Sequence, residues 1–280
     1  MSKNGTVLIA VGGGEFAEAE DVVKEFLEHL KKKNSSPAVT VMTVATGRPE
    51  AAEQKYRDFF KSVGVAKTHI IDVSTRGDSF DEKSIEKVRA ADALFFTGGD
   101  QLNVTSLLGG SPLHNTIYEK LTDGFLIAGT SAGAMMMSNS MIISGKSDSP
   151  PRVGGVEIAP GMDLLSGTII DTHFSQRGRH GRLLTAIAHY PQDLGIGIDE
   201  RTAIVVRNGE FKVVGEGVVT IIDGSRMHHS DLPYRRQEQP LGLFGACIHV
   251  LPAGYKYNIL KREPISPPMK KLAISGEDNE

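Results

Sequence analysis

The residues of this chain best suited to chemistry centre on Ser131, in the run Gly129-Thr130-Ser131-Ala132-Gly133. The apolar Phe125-Leu126-Ile127-Ala128 before it reads as a buried parallel strand, and Ala134-Met135-Met136-Met137 after it as helix-forming material. Strand, sharp turn and helix, with small residues on both sides of a serine, is the setting of a nucleophile elbow. The glycines permit the tight bend and keep bulk away from the hydroxyl. The start of the helix then offers backbone N–H groups, that of Ala132 first, to an oxyanion forming beside the serine. The plainer account is a serine that caps a helix at a strand-to-helix turn.

A hydroxyl is a poor nucleophile near neutral pH until an imidazole accepts its proton, and the imidazole needs an acceptor of its own. Among nine histidines, His173 is best placed, because the strand-like Thr168-Ile169-Ile170 delivers Asp171-Thr172-His173. His180 and His189 fall on the helix expected next and read as surface residues, while His228 and His229 lie in a polar stretch. For the acid, the apolar run Leu194 to Ile198 ends in Asp199-Glu200, two adjacent carboxylates that a strand presents to opposite sides. Glu200 is a candidate, Asp171 and Asp148 are rivals, and spacing leaves the choice open. Gly98-Gly99, after a strand at Ala93 to Thr97, supplies a second backbone donor for the oxyanion beside that of Ala132. Arg177, Arg179 and Arg182 crowd into Ser175-Gln176-Arg177-Gly178-Arg179-His180-Gly181-Arg182. As surface cations they need no explanation; beside a reactive serine they suit a pocket for carboxylates.

The elements that must hold these residues alternate between strand and helix. Val7 to Val11, Val39 to Val44, His69 to Val73 and Ala93 to Thr97 read as strands. Helices are expected over Val22 to Leu30 and Asp81 to Ala90. This order implies a mostly parallel sheet covered on both faces, with ligands at the carboxyl ends of its strands. Beyond Ser131 the expectation is a Gly/Ser/Pro-rich loop from Ser144 to Gly161, a helix from Gln176 to His189, and hairpins that extend the sheet. Those hairpins run through Leu194–Ile198, Thr202–Arg207, Phe211–Val214 and Val218–Ile222. A polar surface loop follows from Asp223 to Pro240, and residues after Ile274 read as an acidic tail. Residues 1–280 are expected to form one domain.

Composition narrows the function classes. Apolar residues make up 40% and charged residues 23% of the chain, ordinary values for a globular enzyme. A net charge of -3 argues against a general nucleic-acid binder. The Lys31-Lys32-Lys33 run suits a helix C-terminus. The one cysteine, Cys247, lies in a strand-like run and reads as a core residue. No apolar stretch reaches membrane-span length and no signal-like segment opens the chain, so a cytoplasmic protein without membrane association is expected. Gly12-Gly13-Gly14-Glu15 lacks the G-x-G-x-x-G spacing of a dinucleotide loop, and no His/Cys cluster has metal-ligand spacing. Neither cofactor nor metal is expected.

Four segments together resemble the cyanophycinase family, serine exopeptidases grouped with aspartyl dipeptidase (peptidase E). They are Gly98-Gly99-Asp100-Gln101-Leu102, Gly129 to Ala134, His173-Phe174-Ser175-Gln176-Arg177-Gly178-Arg179, and Gly197-Ile198-Asp199-Glu200. The likeness runs from Val7 to about Pro252. It implies a three-layer α/β sandwich of the class I glutamine amidotransferase-like, flavodoxin-like type, and a homodimer. The implied substrate is cyanophycin, a poly-aspartate chain bearing arginine on each β-carboxyl, released as β-aspartyl-arginine through an acyl-enzyme. The same likeness makes Ser131 the nucleophile, His173 the base and Glu200 the acid, with Gly99 and Ala132 as oxyanion donors. Gln101, Asp171, Thr172, Arg177, Arg179 and Arg182 correspond to the substrate pocket. Thr172 stands where the family commonly has glutamine. In this reading the arginines hold carboxylates while Asp171 and Gln101 meet a guanidinium.

Three other readings compete. One is a dipeptidase of the same family acting on short aspartyl or isoaspartyl peptides, against which the arginine-rich segment argues. Another is a non-catalytic binder of acidic peptides, against which the intact serine, histidine and acid argue. The third is a cofactor-dependent oxidoreductase.

Overall fold

Five short strands form the parallel half of a nine-stranded sheet: β1 (Val7–Val11), β2 (Ala38–Met42), β3 (Lys67–Ile71), β4 (Ala93–Phe96) and β5 (Leu126–Thr130). They are drawn from a computed structural model that describes residues 5–32, 34–121 and 125–268. Lys33 and the tail expected after Ile274 lie outside the described residues. Every residue of β1, β2, β4 and β5 is buried, as strands covered on both faces must be. Side chains alternate along β1. Ile9 and Val11 enter a cluster with Val22, Phe26 and Leu30 of α1 (Glu20–Lys31) and with Tyr56 and Phe60 of α2 (Pro49–Ser62). Leu8 and Ala10 enter another, with residues of α3 (Glu82–Ala90), α4 (Gln101–Leu108) and α5 (Pro112–Lys120). Helices therefore lie on both faces. Phe26 and Phe60 are fully buried, so truncating either to alanine is expected to cost about 3–5 kcal/mol.

The sheet continues past β1 in antiparallel fashion through β10 (Thr202–Arg207), β11 (Glu210–Gly215), β16 (Lys256–Asn258) and β17 (Glu263–Ile265). The expected hairpin extension holds for β10 and β11 and fails for their neighbours. β8 (Thr168–Thr172), β9 (Leu194–Ile198), β12 (Val218–Asp223) and β15 (Cys247–Pro252) form a second, four-stranded sheet. The segments carrying His173 and Glu200 thus do not emerge from the sheet that carries Ser131. They meet it at a seam. Where Gly12 N–H closes the β1–β10 ladder on Thr202 O at 2.9 Å, His173 N–H donates to Gly12 O at 2.7 Å and Arg201 N–H to Gly13 O at 3.0 Å. Asp199 ties the ends of the second sheet together there, accepting from Ser175 N–H at 3.0 Å and Val218 N–H at 3.2 Å.

Other expectations change locally. The helix after the elbow, α6 (Ala132–Met135), is a single turn. β6 (Ser140–Gly145) and β7 (Val156–Pro160) pair across what the sequence suggests is a plain loop. The helix expected from Gln176 is a short 3-10 turn at Ser175–Arg177, a left-handed Gly178 (φ 58°), and then α7 (His180–His189). The cap at Gly178 is what breaks it. In the polar stretch after Asp223, β13 (His229–Ser230) pairs with β14 (Leu243–Phe244). Cys247 is half-buried on β15, an edge strand, with its Sγ 3.4 Å from His249 Nε2, rather than enclosed in the core.

Candidate active site

Ser131 sits at φ 54° and ψ −115° between β5 and α6, a conformation that L-residues seldom adopt. Two things enforce it. Its N–H donates to Val11 O at 3.0 Å, continuing the β1–β5 pairing one residue beyond the strand. Gly129 and Gly133 then bring the strand and the helix together: a Cβ at Gly129 would lie 2.1 Å from Gly133 O. No larger residue fits there, which is why the elbow needs its flanking glycines.

The hydroxyl that this turn projects meets a continuous relay. Ser131 Oγ lies 3.0 Å from His173 Nε2, and His173 Nδ1 lies 2.6 Å from Glu200 Oε1. His173 is itself held at φ 49°. Burial pushes its imidazole below the ordinary value of 6.5. The Glu200 hydrogen bond pulls upward, and the Arg177 and Arg179 charges add to the downward push. The ring is therefore neutral at neutral pH, with one nitrogen able to accept the serine proton while the other donates to Glu200.

The other acids do not take Glu200's place. Asp199 is buried and accepts the backbone N–H groups of Ser175 and Val218. Asp148 is exposed on the loop beside Gly178. Asp171 is fully buried under two arginines: Arg182 Nε and Nη2 donate to its oxygens at 2.6 and 2.5 Å, and Arg179 Nη1 at 3.2 Å. Arg179 also donates to Thr172 O at 2.6 Å, and its own pKa is drawn down to about 10 by burial, against the pull of Asp171. It remains a cation at neutral pH.

This cluster corrects the picture of a pocket in which arginines and Asp171 point separately at a ligand. Asp171 pairs with Arg179 and Arg182, and all three are buried together with Thr172. The pairing locks α7 to the end of β8 one residue short of His173. Arg177 differs. It is exposed beside the relay and makes no ion pair among the described residues. Gln101, at the start of α4, spends its amide N–H on Ile142 O at 2.6 Å. Of the glycine pair, Gly98 packs beside Ser131, while Gly99 (φ +143°) turns against Ala45 O.

Sequence reasoning missed a cavity of 360 Å³ that opens on Ser131 and His173 and is walled on the far side by Arg48, Ala52 and Lys55. Arg48 and Lys55 stand more than thirty residues from any motif, and only the position of α2 brings them to the site. Gly13 and Gly14 line the same cavity. Their run was visible in the sequence but had no assigned task. Among the described residues, no group of three or more His, Cys, Asp or Glu side chains is arranged to hold a metal ion, and no helix is long and apolar enough to cross a membrane.

A serine on a strained elbow, relayed through a neutral imidazole to a carboxylate within an α/β fold, marks this chain as a serine-type hydrolase. More narrowly, it belongs to Peptidase family S51, whose model matches residues 8–214. A cyanophycinase of Trichormus variabilis is 32% identical over 260 residues, covering 92% of this chain and 87% of that one. The Geminocystis herdmanii cyanophycinase is 32% identical over 263 residues, covering 93% and 96%. The crystal structure of a peptidase from an acI-B1 Actinobacterium superposes with a TM-score of 0.65 at 25% identity, covering 90% of this chain and 98% of that one.

Proposed function

We propose that this peptidase hydrolyses cyanophycin to β-aspartyl-arginine through an acyl-enzyme on Ser131. The observation that carries the mechanism is the Ser131–His173–Glu200 relay at 3.0 and 2.6 Å. The substrate rests on the cyanophycinases that match more than nine-tenths of the chain. Ser131 Oγ attacks the peptide carbonyl as its proton passes to His173 Nε2. Glu200 steadies the imidazolium that results. His173 then protonates the departing amine, and water, activated by the same ring, releases the acyl group. The backbone N–H groups of Gly99 and Ala132 are the oxyanion donors of this reading. Each is expected to contribute about 10²–10³ in turnover.

Substrate recognition divides into two layers. Arg177, exposed beside the relay, suits direct contact with a substrate carboxylate. Arg179 and Arg182 act from beneath, through the Asp171 cluster that positions the β8–α7 junction. Thr172, buried in that cluster, and Gln101, whose amide is held by Ile142 O, belong with this supporting layer. The class I glutamine amidotransferase-like topology, a homodimer and a cytoplasmic location complete the reading. Ile248 and Val250, more than half exposed on the edge strand β15, support the dimer.

The test is a comparison of substrates. Purified protein is given cyanophycin, and the dipeptide Asp-Leu separately, with mass analysis of the products. Release of β-aspartyl-arginine, with Asp-Leu left intact, is the expected result. Cleavage of Asp-Leu alone would move the assignment to short aspartyl peptides.

A further inference from the structure

Two sides of Ser131 carry positive charge, and only one of them belongs to the arginine-rich motif. The other is the 360 Å³ cavity against α2. Its volume sits at the lower end of the ~300–1,000 Å³ typical of ligand pockets, room for one branch of a polymer and not for the chain. Among the described residues, Arg48 and Lys55 are the charged ones that line it, and no carboxylate does. Alanines at 51 and 52 keep the α2 wall low. Thr130 contributes a buried hydroxyl with no hydrogen-bond partner among the described residues.

Arg48 is exposed and occupies the N-cap of α2 without a side-chain capping bond. A fourteen-residue helix begins there with Pro49, so its positive pole adds to the arginine charge. Among the described residues Arg48 has no ion pair, whereas Lys55 pairs with Glu15 at the rim. An unpaired guanidinium on a cavity lined by no carboxylate, with an ammonium neutralised only from its rim, is an arrangement for an anion.

We propose that this cavity is a subsite for the α-carboxylate of an arginyl branch next to the scissile bond, with Arg48 as its principal ligand and Lys55 as its second. The proposal rests on the cyanophycin reading given above. In that polymer every repeat presents such a carboxylate and a guanidinium. The units on either side of the cut then meet Arg177 on one side and Arg48 on the other. Arg48 and Lys55 thereby set specificity for branched over plain aspartyl chains without touching the reacting atoms.

The test uses two soluble oligomers of β-aspartyl-arginine, one with free arginyl carboxylates and one with those groups as carboxamides. For the parent protein, kcat/KM is expected to favour the carboxylate oligomer by roughly 10–100-fold, the worth of one charge-assisted bond. Arg48→Ala should carry that preference most of the way to unity, through KM, and Arg48→Lys should restore part of it. Labelling of Ser131 by a small fluorophosphonate checks in each variant that the nucleophile is intact. A parent that cleaves both oligomers, with the preference unchanged in Arg48→Ala and in Arg48→Ala/Lys55→Ala, overturns the subsite and leaves the substrate assignment standing. A parent that cleaves neither overturns the substrate assignment, and the subsite falls with it.

Discussion

The imidazole of His173 lies against the backbone of Gly13 so closely that a Cβ there would sit 2.3 Å from Cε1 and 2.5 Å from Nε2 of the ring. Nε2 is the atom that faces Ser131. The ring thus occupies the space that any side chain at position 13 would take, and the φ of +102° further restricts the position to glycine. Gly13→Ala is expected to displace the ring by about 1 Å and reduce kcat about 10²-fold. Steady-state kinetics beside a thermal melt is the check, and the kinetic loss should far exceed what the change in stability accounts for.

The acid limb of the pH profile follows from the same ring. Burial holds His173 below its ordinary 6.5, so the neutral, competent base persists into mildly acid solution. The limb of kcat/KM is expected to have its midpoint below 6.5. Glu200 pulls the ring upward and Arg177 pushes it downward. Glu200→Gln should therefore move the limb further toward acid while lowering kcat by roughly 10²–10⁴. Arg177→Gln should move it toward neutrality. Opposite shifts in the two variants are the diagnostic result.

Asp171 makes a separate prediction about stability. Its carboxylate is fully buried and is the anionic partner of both Arg179 and Arg182. Asp171→Asn leaves buried guanidinium charge uncompensated, at an expected cost of about 3–5 kcal/mol. Chemical denaturation measures this directly. A residue acting only as a substrate ligand would raise KM with little loss of stability.

What could be read from the sequence is what local chemistry dictates. The elbow was legible because its glycines and its serine occupy five consecutive residues. β1, β4 and β5 were legible because strands buried on both faces are continuous apolar runs. His173 and Glu200 emerged as candidates because each follows such a run. The second sheet was not legible. β9 and β12 look in sequence like the hairpin strands β10 and β11, and which sheet each joins is decided by long-range pairing, β9 with β8 and β12 with β15. The fate of Asp171 was hidden for a related reason. Only the break at Gly178 lets α7 turn so that Arg179 and Arg182 both reach one carboxylate. Arg48 and Lys55 carry no local signal, since their part is set by where α2 crosses the sheet.

Hydrolysis of cyanophycin by the parent protein and by Ser131→Ala, each verified as folded by its melting transition, tests the central claim most directly. The account predicts β-aspartyl-arginine from the parent and a rate at least about 10⁴-fold lower from Ser131→Ala, since removing a nucleophile disables the whole relay. A Ser131→Ala variant that retained activity within tenfold of the parent would contradict it.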